Sequence, residues 1–252
     1  MSRVRQLAAA LLLLLALAPV APRSAGASPA VPPAPRRPDE QHPVRTRFVL
    51  DLWLKALGGR SKLLAVRSMY VKAILVSSGQ IGSLENWQAA DGRYKTVVNL
   101  GDHEFITVCD GRSGWTASDG AAQDLDAGAL AAAITRSYLG SYSQFFPDRL
   151  PGSVEWVRED PDAYVLQLLP SGGVPITFYL DKTTGLPIRH EMLDGERTLT
   201  FYYLEWQDYG ALKTWKRGRQ TTGADAPDLS VTAQDISWNP TLDPKIFQKP
   251  AQ

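Results

Sequence analysis

The sequence has few of the residues that most often build catalytic or metal sites. Its 252 residues include one cysteine and three histidines. One cysteine excludes an intramolecular disulfide, and Cys109 is predicted to be a small, buried core residue on a strand. The motifs H-E-x-x-H, C-x-x-C and G-x-S-x-G are missing, so the zinc and serine-hydrolase sites that they mark are not predicted.

The titratable residues also lack an arrangement typical of catalysis. His42 lies in a proline-rich stretch, and His103 and His190 each precede a glutamate, so exposed or locally paired histidines are expected. The acids at 159, 160 and 162 are near neighbours in a loop, whereas glycosidases hold two carboxyl groups across a cleft. We therefore predict no enzyme, no metal and no cofactor. A pocket that joined His103 or His190 to carboxylates would revive the enzyme hypothesis.

The chain also has no large excess of positive or negative charge, since it contains 27 basic and 26 acidic residues. Residues 1–27 hold three arginines and no acid, so the remainder has 24 basic and 26 acidic residues, a net charge of −2. Phosphate binding needs a concentrated positive face, so no nucleic acid partner is expected. The basic residues at 213, 216, 217 and 219 are expected to form a solvated strand face.

The N-terminus predicts export from the cytoplasm. Arg3 and Arg5 precede an apolar run from Leu7 to Val20, and Ala25-Gly26-Ala27 is a small-residue cleavage pattern. A run of 14 residues is shorter than the roughly 20 that a spanning helix needs, so residues 1–27 are predicted to be a cleaved signal peptide. No cysteine lies directly after the predicted cleavage site, where a lipid would be attached, so we expect a periplasmic or secreted, monomeric protein.

Residues 28–44 contain six prolines, a composition that favours an extended spacer without a core. A single domain is predicted over 45–252. Its first element is a helix, since Val49, Trp53 and Leu57 follow helical spacing and Gly58-Gly59 ends the pattern. A second helix is predicted around Leu130 to Tyr142, with Asp124 or Asp126 as its N-cap.

The rest of the domain reads as short strands separated by turns. Four turns, most of them Asp-Gly pairs, separate the runs between residues 83 and 120, which indicates an antiparallel meander. Several strands, such as 69–76 and 198–206, are apolar on both faces, whereas a sheet half in water would alternate cleanly. We predict an α+β fold, an open and strongly curved antiparallel barrel of about eleven strands whose concave side is covered by the two helices.

Three segments resemble the LolA-like, lipoprotein-carrier superfamily of bacterial envelopes. They are FVLDLWLKALGG (48–59), DGRSGW (110–115) and FYLDKTTGLPIR (178–189). Residues 141–156 and 164–181 also resemble secreted modules found ahead of retropepsin-like aspartic proteases, although no Asp-Thr-Gly or Asp-Ser-Gly motif occurs here. The resemblance covers roughly residues 47–248. It implies an open barrel around a hydrophobic cavity for acyl chains.

Strand alternation, taken with this resemblance, gives a set of residues expected to line the cavity. A single β-bulge would reverse the parity of any one strand. Asp181, Gly185 and Pro187 are predicted to form a structural turn, with Gly185 supplying permissive dihedrals. The expected lining residues are Trp87, Val98, Phe105, Leu166, Leu168, Phe178 and Leu180.

Two functions remain open from the sequence. The first is an extracytoplasmic carrier that sequesters the acyl chain of a lipid or lipoprotein. The second is a non-catalytic envelope sensor or protein-interaction module, whose interior is filled by its own side chains and whose partner is another envelope protein. An interior with room for a hydrocarbon chain favours the first function, and a packed interior favours the second.

Overall fold

The computed structural model describes residues 42–194, 197–222 and 228–250. The predicted signal peptide and the spacer up to residue 41 lie outside this part of the chain. Three α-helices are described, α1 (His42–Ala56), α2 (Arg60–Leu64) and α3 (Ala127–Gly140), with a 3-10 helix at Pro244–Phe247. The strands are β1 (Ser68–Ser77), β2 (Gln80–Ala89), β3 (Tyr94–Leu100), β4 (His103–Cys109), β5 (Gly114–Ser118), β6 (Ala121–Asp124), β7 (Gly152–Glu159), β8 (Ala163–Pro170), β9 (Ile176–Asp181), β10 (Pro187–Asp194), β11 (Arg197–Tyr209), β12 (Leu212–Thr221) and β13 (Leu229–Trp238).

All thirteen strands form one antiparallel sheet in the order β6-β5-β4-β3-β2-β1-β13-β12-β11-β10-β9-β8-β7. The sheet is curved but not closed, because β6 and β7 do not pair with each other and remain its edges. The predicted open barrel with an N-terminal and an inserted helix is therefore confirmed, with thirteen strands in place of about eleven. Ala-Ala-Gln-Asp in β6 has no apolar alternation, which is why sequence patterning missed that strand.

Tight hairpins set the order of the first six strands. Asp119 and Gly120, between β5 and β6, have φ values of 50° and 88°. Positive φ at both central residues is the geometry of a type I′ turn, whose twist matches that of the strands it joins. The Asp-Gly signal in the sequence thus acts through backbone conformation.

Helix α1 is buried along the predicted stripe. Val49, Trp53 and Leu57 are each at most 5% exposed. Gly58 and Gly59, with φ of 121° and 93°, end the helix, and the Leu57 carbonyl accepts a hydrogen bond from Lys213 N of β12. The helix packs on β8 and β9, and the buried residues at this contact form one cluster, which we call the α1 core. Its members are Val49, Trp53, Leu54, Leu57, Leu63, Val66, Tyr138, Phe145, Phe146, Trp156, Leu166, Leu168, Ile176, Phe178, Leu180 and Leu212.

A second core lies on the concave side of β1–β4 and β13. Leu75 and Val98 are fully buried there, and Trp215 packs against its margin. Both parities of β8 and β9 are buried as well, because Ala163, Val165 and Tyr179 form a separate cluster on the convex side. The Arg189 guanidinium lies 3.6 Å from the Tyr179 ring centroid and covers that cluster. The Arg158 guanidinium lies 5.6 Å from the same centroid, so two arginines cover the apolar residues on this side.

Within the described ranges, no helix combines the length and hydropathy that crossing a membrane requires. The single thiol lies at the end of β4. Cys109 is fully buried, as predicted, and burial raises its pKa. A protonated, enclosed thiol is a packing residue and is not activated as a nucleophile.

Candidate ligand-binding cavity

The turn between β9 and β10 fixes the sheet against α1. Oδ1 of Asp181 accepts hydrogen bonds from Thr183 N (3.1 Å) and Thr184 N (2.7 Å), and these bonds lower the pKa of Asp181. Gly185 has a φ of 72°, and a Cβ there would lie 2.8 Å from Leu52 Cγ of α1. Asp181 and Gly185 thus lie in the predicted turn, and Pro187 starts β10 behind it. Glycine is required both for the backbone angle and for the close approach of the helix.

Helix α3 spans the concave side further along the sheet. Asp126 is its N-cap, since Oδ1 accepts a hydrogen bond from Ala129 N at 2.8 Å. Its buried face is made largely of small residues, including Ala129, Ala132 and Ala133. Thr135 Oγ1 accepts a bond from Val174 N at 2.7 Å and anchors the helix to the loop before β9. Towards its C-terminal end, Thr135, Arg136, Leu139 and Gly140 border an unfilled space between the helix and the sheet.

The space beneath α3 is a partly open cavity of about 260 Å³, which we call the α3 cavity. Its walls come from α3 and from strands β1, β2, β3 and β9–β13. Most of its surface is apolar. The lining residues are Met69, Val71, Leu84, Asn86, Gln88, Thr96, Thr135, Arg136, Leu139, Gly140, Ile176, His190, Met192, Leu199, Phe201, Tyr203, Thr214, Trp215, Gln220 and Val231.

One wall of the α3 cavity is aromatic. The His190 and Phe201 rings are stacked, with centroids 5.3 Å apart, and Tyr203 lies edge-on to Phe201 at 5.0 Å. His190 Nδ1 and Tyr203 Oη share a hydrogen bond of 2.9 Å. Burial lowers the pKa of His190 to about 3, because the low-dielectric surroundings disfavour the imidazolium, and burial raises the pKa of Tyr203. This wall is therefore uncharged at neutral pH.

The wall formed by β2, β3 and α3 is polar. Asn86 Nδ2 donates to Thr96 Oγ1 at 2.8 Å across the strand pair. Gln88 is 5% exposed, and its Nε2 has no hydrogen-bond partner within the described residues. Arg136 lies in the same wall. Burial raises the pKa of Tyr94, a neighbour of Arg136, to about 12, while the positive charge of Arg136 acts in the opposite direction.

The seven residues predicted to line a cavity fall into three groups. Leu166, Leu168, Phe178 and Leu180 are at most 2% exposed and lie in the α1 core. Val98 and Phe105 belong to the second core, beneath the cavity-lining Leu84. Trp87 lies on the other face of β2 from Leu84 and Gln88, where its ring contacts Tyr70.

Sequence reasoning missed the residues that form the cavity walls, above all His190, Phe201 and Arg136. His190 was expected to be exposed or locally paired; it is paired, with Tyr203, but it is half-buried in the cavity wall. The chain gives a partial signal, because the predicted turn brings β10 back along Phe178. A register shift between Pro187 and Arg189 pairs Phe178 with His190, where regular pairing would have placed Arg189.

The described residues contain no group of three or more His, Cys, Asp or Glu side chains that could hold a metal ion. His103 pairs with Asp119, with Nδ1 and Oδ2 3.0 Å apart, on the exposed end of β4. His190 has an aromatic and hydroxyl environment, and no carboxylate is among the lining residues of its cavity. What the arrangement offers is an enclosed apolar volume with one polar wall.

Comparison with solved structures gives several matches of similar architecture. A LolA superfamily protein from Nitrosomonas europaea has a TM-score of 0.58 at 12% identity, covering 81% of this chain and 97% of that chain. A DUF1329 family protein from Desulfovibrio piger has a TM-score of 0.53 at 13% identity, over 81% and 97% of the two chains. A domain from Vibrio parahaemolyticus named for outer membrane lipoprotein sorting has a TM-score of 0.53 at 9% identity, over 79% and 94%.

No protein-family profile and no curated protein sequence matches the chain. The structural matches nevertheless confirm the predicted LolA-like fold. Identities of 9–13% establish a shared architecture alone. Any function has to be argued from the residues of this chain.

Proposed function

We propose that this LolA-like domain is an extracytoplasmic carrier that binds the acyl chain of a lipid or lipoprotein in the α3 cavity. The observation that carries the proposal is the cavity itself, about 260 Å³ of largely apolar space beneath the C-terminal half of α3. Packed interiors leave few voids larger than a water molecule, so a void of this size needs an explanation.

The binding energy would come from burial. Removing apolar surface from water stabilises a complex by roughly 25 cal/mol per Å², so about 200 Å² of hydrocarbon contributes about 5 kcal/mol before ordering costs. Val71, Leu199 and Phe201 offer the apolar surface for such contacts. No covalent step is involved, and His190 acts as a neutral wall.

The likeness to a domain named for lipoprotein sorting supports a carrier in the envelope, as does the predicted signal peptide. Loading and release would require α3 to move relative to the sheet. One of its anchors is the bond from Val174 N to Thr135 Oγ1, and Arg149 Nη1 donates to Ser141 O, directly after the helix, at 2.7 Å. Tyr138 of α3 is also buried in the α1 core, so the movement would have to break or pivot about this contact.

Native mass spectrometry of the exported protein, before and after solvent extraction, tests the proposal, together with binding of a fluorescent fatty acid. We expect a co-purified lipid and micromolar or tighter probe binding. Val71→Phe places a ring in the cavity and is expected to lower probe affinity at least tenfold. Ile74→Phe is the matched control, because Ile74 is on the convex side of the same strand and is 41% exposed.

A protein that never carries lipid and binds no probe would contradict the carrier proposal. It would instead fit the second function, an envelope sensor or interaction module. Equal loss of binding in both phenylalanine variants would also contradict the proposal, since only one of the two faces lines the cavity.

A further inference from the structure

The charges around the α3 cavity are unevenly distributed. Among the described residues that line it, Arg136 is the one with a formal charge at neutral pH, and no aspartate or glutamate is present. Arg136 is on α3, close to β2 and β3, whereas the aromatic wall lies on β10 and β11. Three strands, β1, β13 and β12, separate β2 from β11. At roughly 4.8 Å per strand, the two walls are about 19 Å apart along the sheet.

Gln88 adds a second feature to the charged wall. Its side chain is 5% exposed, and Nε2 has no partner among the described residues. An unsatisfied buried amide is costly, and native proteins retain few of them. Nε2 has almost no accessible surface, so the amide would have to rotate towards the cavity before a ligand oxygen could accept its hydrogen bond and remove that cost.

Gly140 explains how the amide reaches this position. A Cβ at residue 140 would lie 2.3 Å from Cδ and Oε1 of Gln88, so any larger residue would displace the amide. Gly140 itself lines the cavity at the C-terminal end of α3. The chain thus places a buried amide donor in the same wall as a guanidinium.

The opposite wall provides the contrast. His190 stays neutral because burial opposes its protonation, and its Nδ1 is already bonded to Tyr203. Phe201 and Trp215 complete a surface that suits hydrocarbon. A positive charge on one wall and aromatic rings on the other favour a ligand with one acidic end and one apolar end.

We propose, building on the proposed function, that the α3 cavity selects amphiphiles with an acidic headgroup, a carboxylate or a phosphate. The headgroup lies against Arg136 and Gln88, and the acyl chain extends along the wall of Phe201 and His190. The ligand therefore binds in one orientation, and a neutral lipid with the same chain binds more weakly.

Competition against a fluorescent fatty acid tests this with three unlabelled ligands: palmitate, 1-hexadecanol and a lysophosphatidic acid with a sixteen-carbon chain. The first two share chain length and differ in head charge. We expect palmitate to bind at least tenfold more tightly than hexadecanol. Comparison of palmitate with lysophosphatidic acid then identifies which acidic head the site prefers.

Variants assign this preference to the polar wall. Arg136→Gln should reduce the preference for palmitate to less than about threefold and leave hexadecanol affinity unchanged, whereas Arg136→Lys should keep most of it. Gln88→Leu should lower palmitate affinity several-fold. Lys72→Gln removes one positive charge from the exposed convex side of β1 and should change neither ligand.

The outcomes separate this inference from the proposed function. If palmitate and hexadecanol bind equally tightly to the unmodified protein, the headgroup proposal is wrong and the carrier proposal stands. If none of the three ligands competes and the probe does not bind, the carrier proposal itself is wrong. If Arg136→Gln loses hexadecanol affinity as well, or keeps the full preference, Arg136 is not a headgroup ligand.

Discussion

The same sheet is solid beneath α1 and hollow beneath α3. Helix α1 places Val49, Trp53 and Leu57 in the α1 core, and the Trp53 ring lies 4.9 Å from that of Phe178 on β9. Helix α3 borders its cavity with Thr135, Arg136, Leu139 and Gly140, and about 260 Å³ remains between it and the strands. The way in which each helix packs on the curved sheet therefore decides whether the interior there is filled or holds a cavity.

The contrast also separates two tasks in one chain. The α1 core fixes the curvature, because the turn at Gly185 and the end of the helix at Leu57 attach α1 to β9, β10 and β12. Because the half of the domain beneath α1 is fixed in this way, the half beneath α3 can keep a cavity where side chains would otherwise pack. A domain of this size can tolerate a cavity that lacks several kcal/mol of packing energy only if its remaining core is large.

The largest expected losses of stability come from shortening one buried side chain to alanine in each region. Leu168→Ala, in the α1 core, should lower the free energy of unfolding by about 3–5 kcal/mol, since the fully buried site cannot collapse. Leu84→Ala, on the cavity wall, should lower it by about 2–3 kcal/mol, because one side of that side chain already borders the cavity. Urea unfolding of both variants measures the difference. Equal losses would show that the cavity is packed in solution.

Replacing a small buried residue with a larger one should cause a smaller loss of stability in each region. Val49→Phe forces a ring into the α1 core, where Val49 is fully buried, and should destabilise the protein by up to about 3 kcal/mol. Val71→Phe places the same ring in the α3 cavity and should cost about 1 kcal/mol or less. Thermal unfolding of the two variants gives the comparison. A larger loss for Val71→Phe would argue that the cavity has no room for added carbon.

Between pH 7 and pH 5, the pH dependence of stability should come mainly from the half of the domain beneath α3. The pKa of His190 is lowered to about 3 in the folded chain, whereas an unfolded histidine titrates near ~6.5. Below about pH 6.5 the histidine of the unfolded chain binds a proton that the folded chain does not bind. The free energy of unfolding therefore decreases as the pH is lowered, down to about pH 3. Between pH 6.5 and pH 5 the loss should reach up to about 2 kcal/mol.

His190→Phe keeps the stacked ring and removes the titrating group. Urea unfolding at pH 7 and pH 5 should therefore show a smaller pH-dependent loss in this variant than in the unmodified protein. An identical loss in both would mean that His190 is protonated freely in the folded state. His103→Phe is the matched control, because His103 is exposed and paired with Asp119.

Much of the fold could be predicted from local patterns. The Val49, Trp53 and Leu57 stripe, the Asp126 cap and the turn behind Asp181 each depend on residues close in sequence, and each is present. The strand count was nearly right, since Asp-Gly turns mark hairpins directly. The predicted lining residues differ from those of the α3 cavity for another reason: alternation identifies which residues share a face but not which helix covers that face.

The misplaced lining residues illustrate this limit. Leu166 and Phe178 share a face with cavity residues further along the sheet, and only the position of α1 makes their surroundings solid. Trp87 is large and lies on a strand, but it points to the other face of β2 from the cavity-lining Gln88. Size and hydrophobicity predicted burial, whereas access to the cavity depended on packing between distant elements.

The sequence by itself determined the type and order of most helices and strands, where most hairpins turn, and that the interior had to be rich in apolar side chains. These properties follow from backbone angles and periodicity, which act within a few residues. The tertiary structure alone decided that Arg136, Gln88 and His190 surround one cavity, because α3, β2 and β10 are far apart in the chain. Only the curvature of the sheet, with its register shift before Arg189, brings them together.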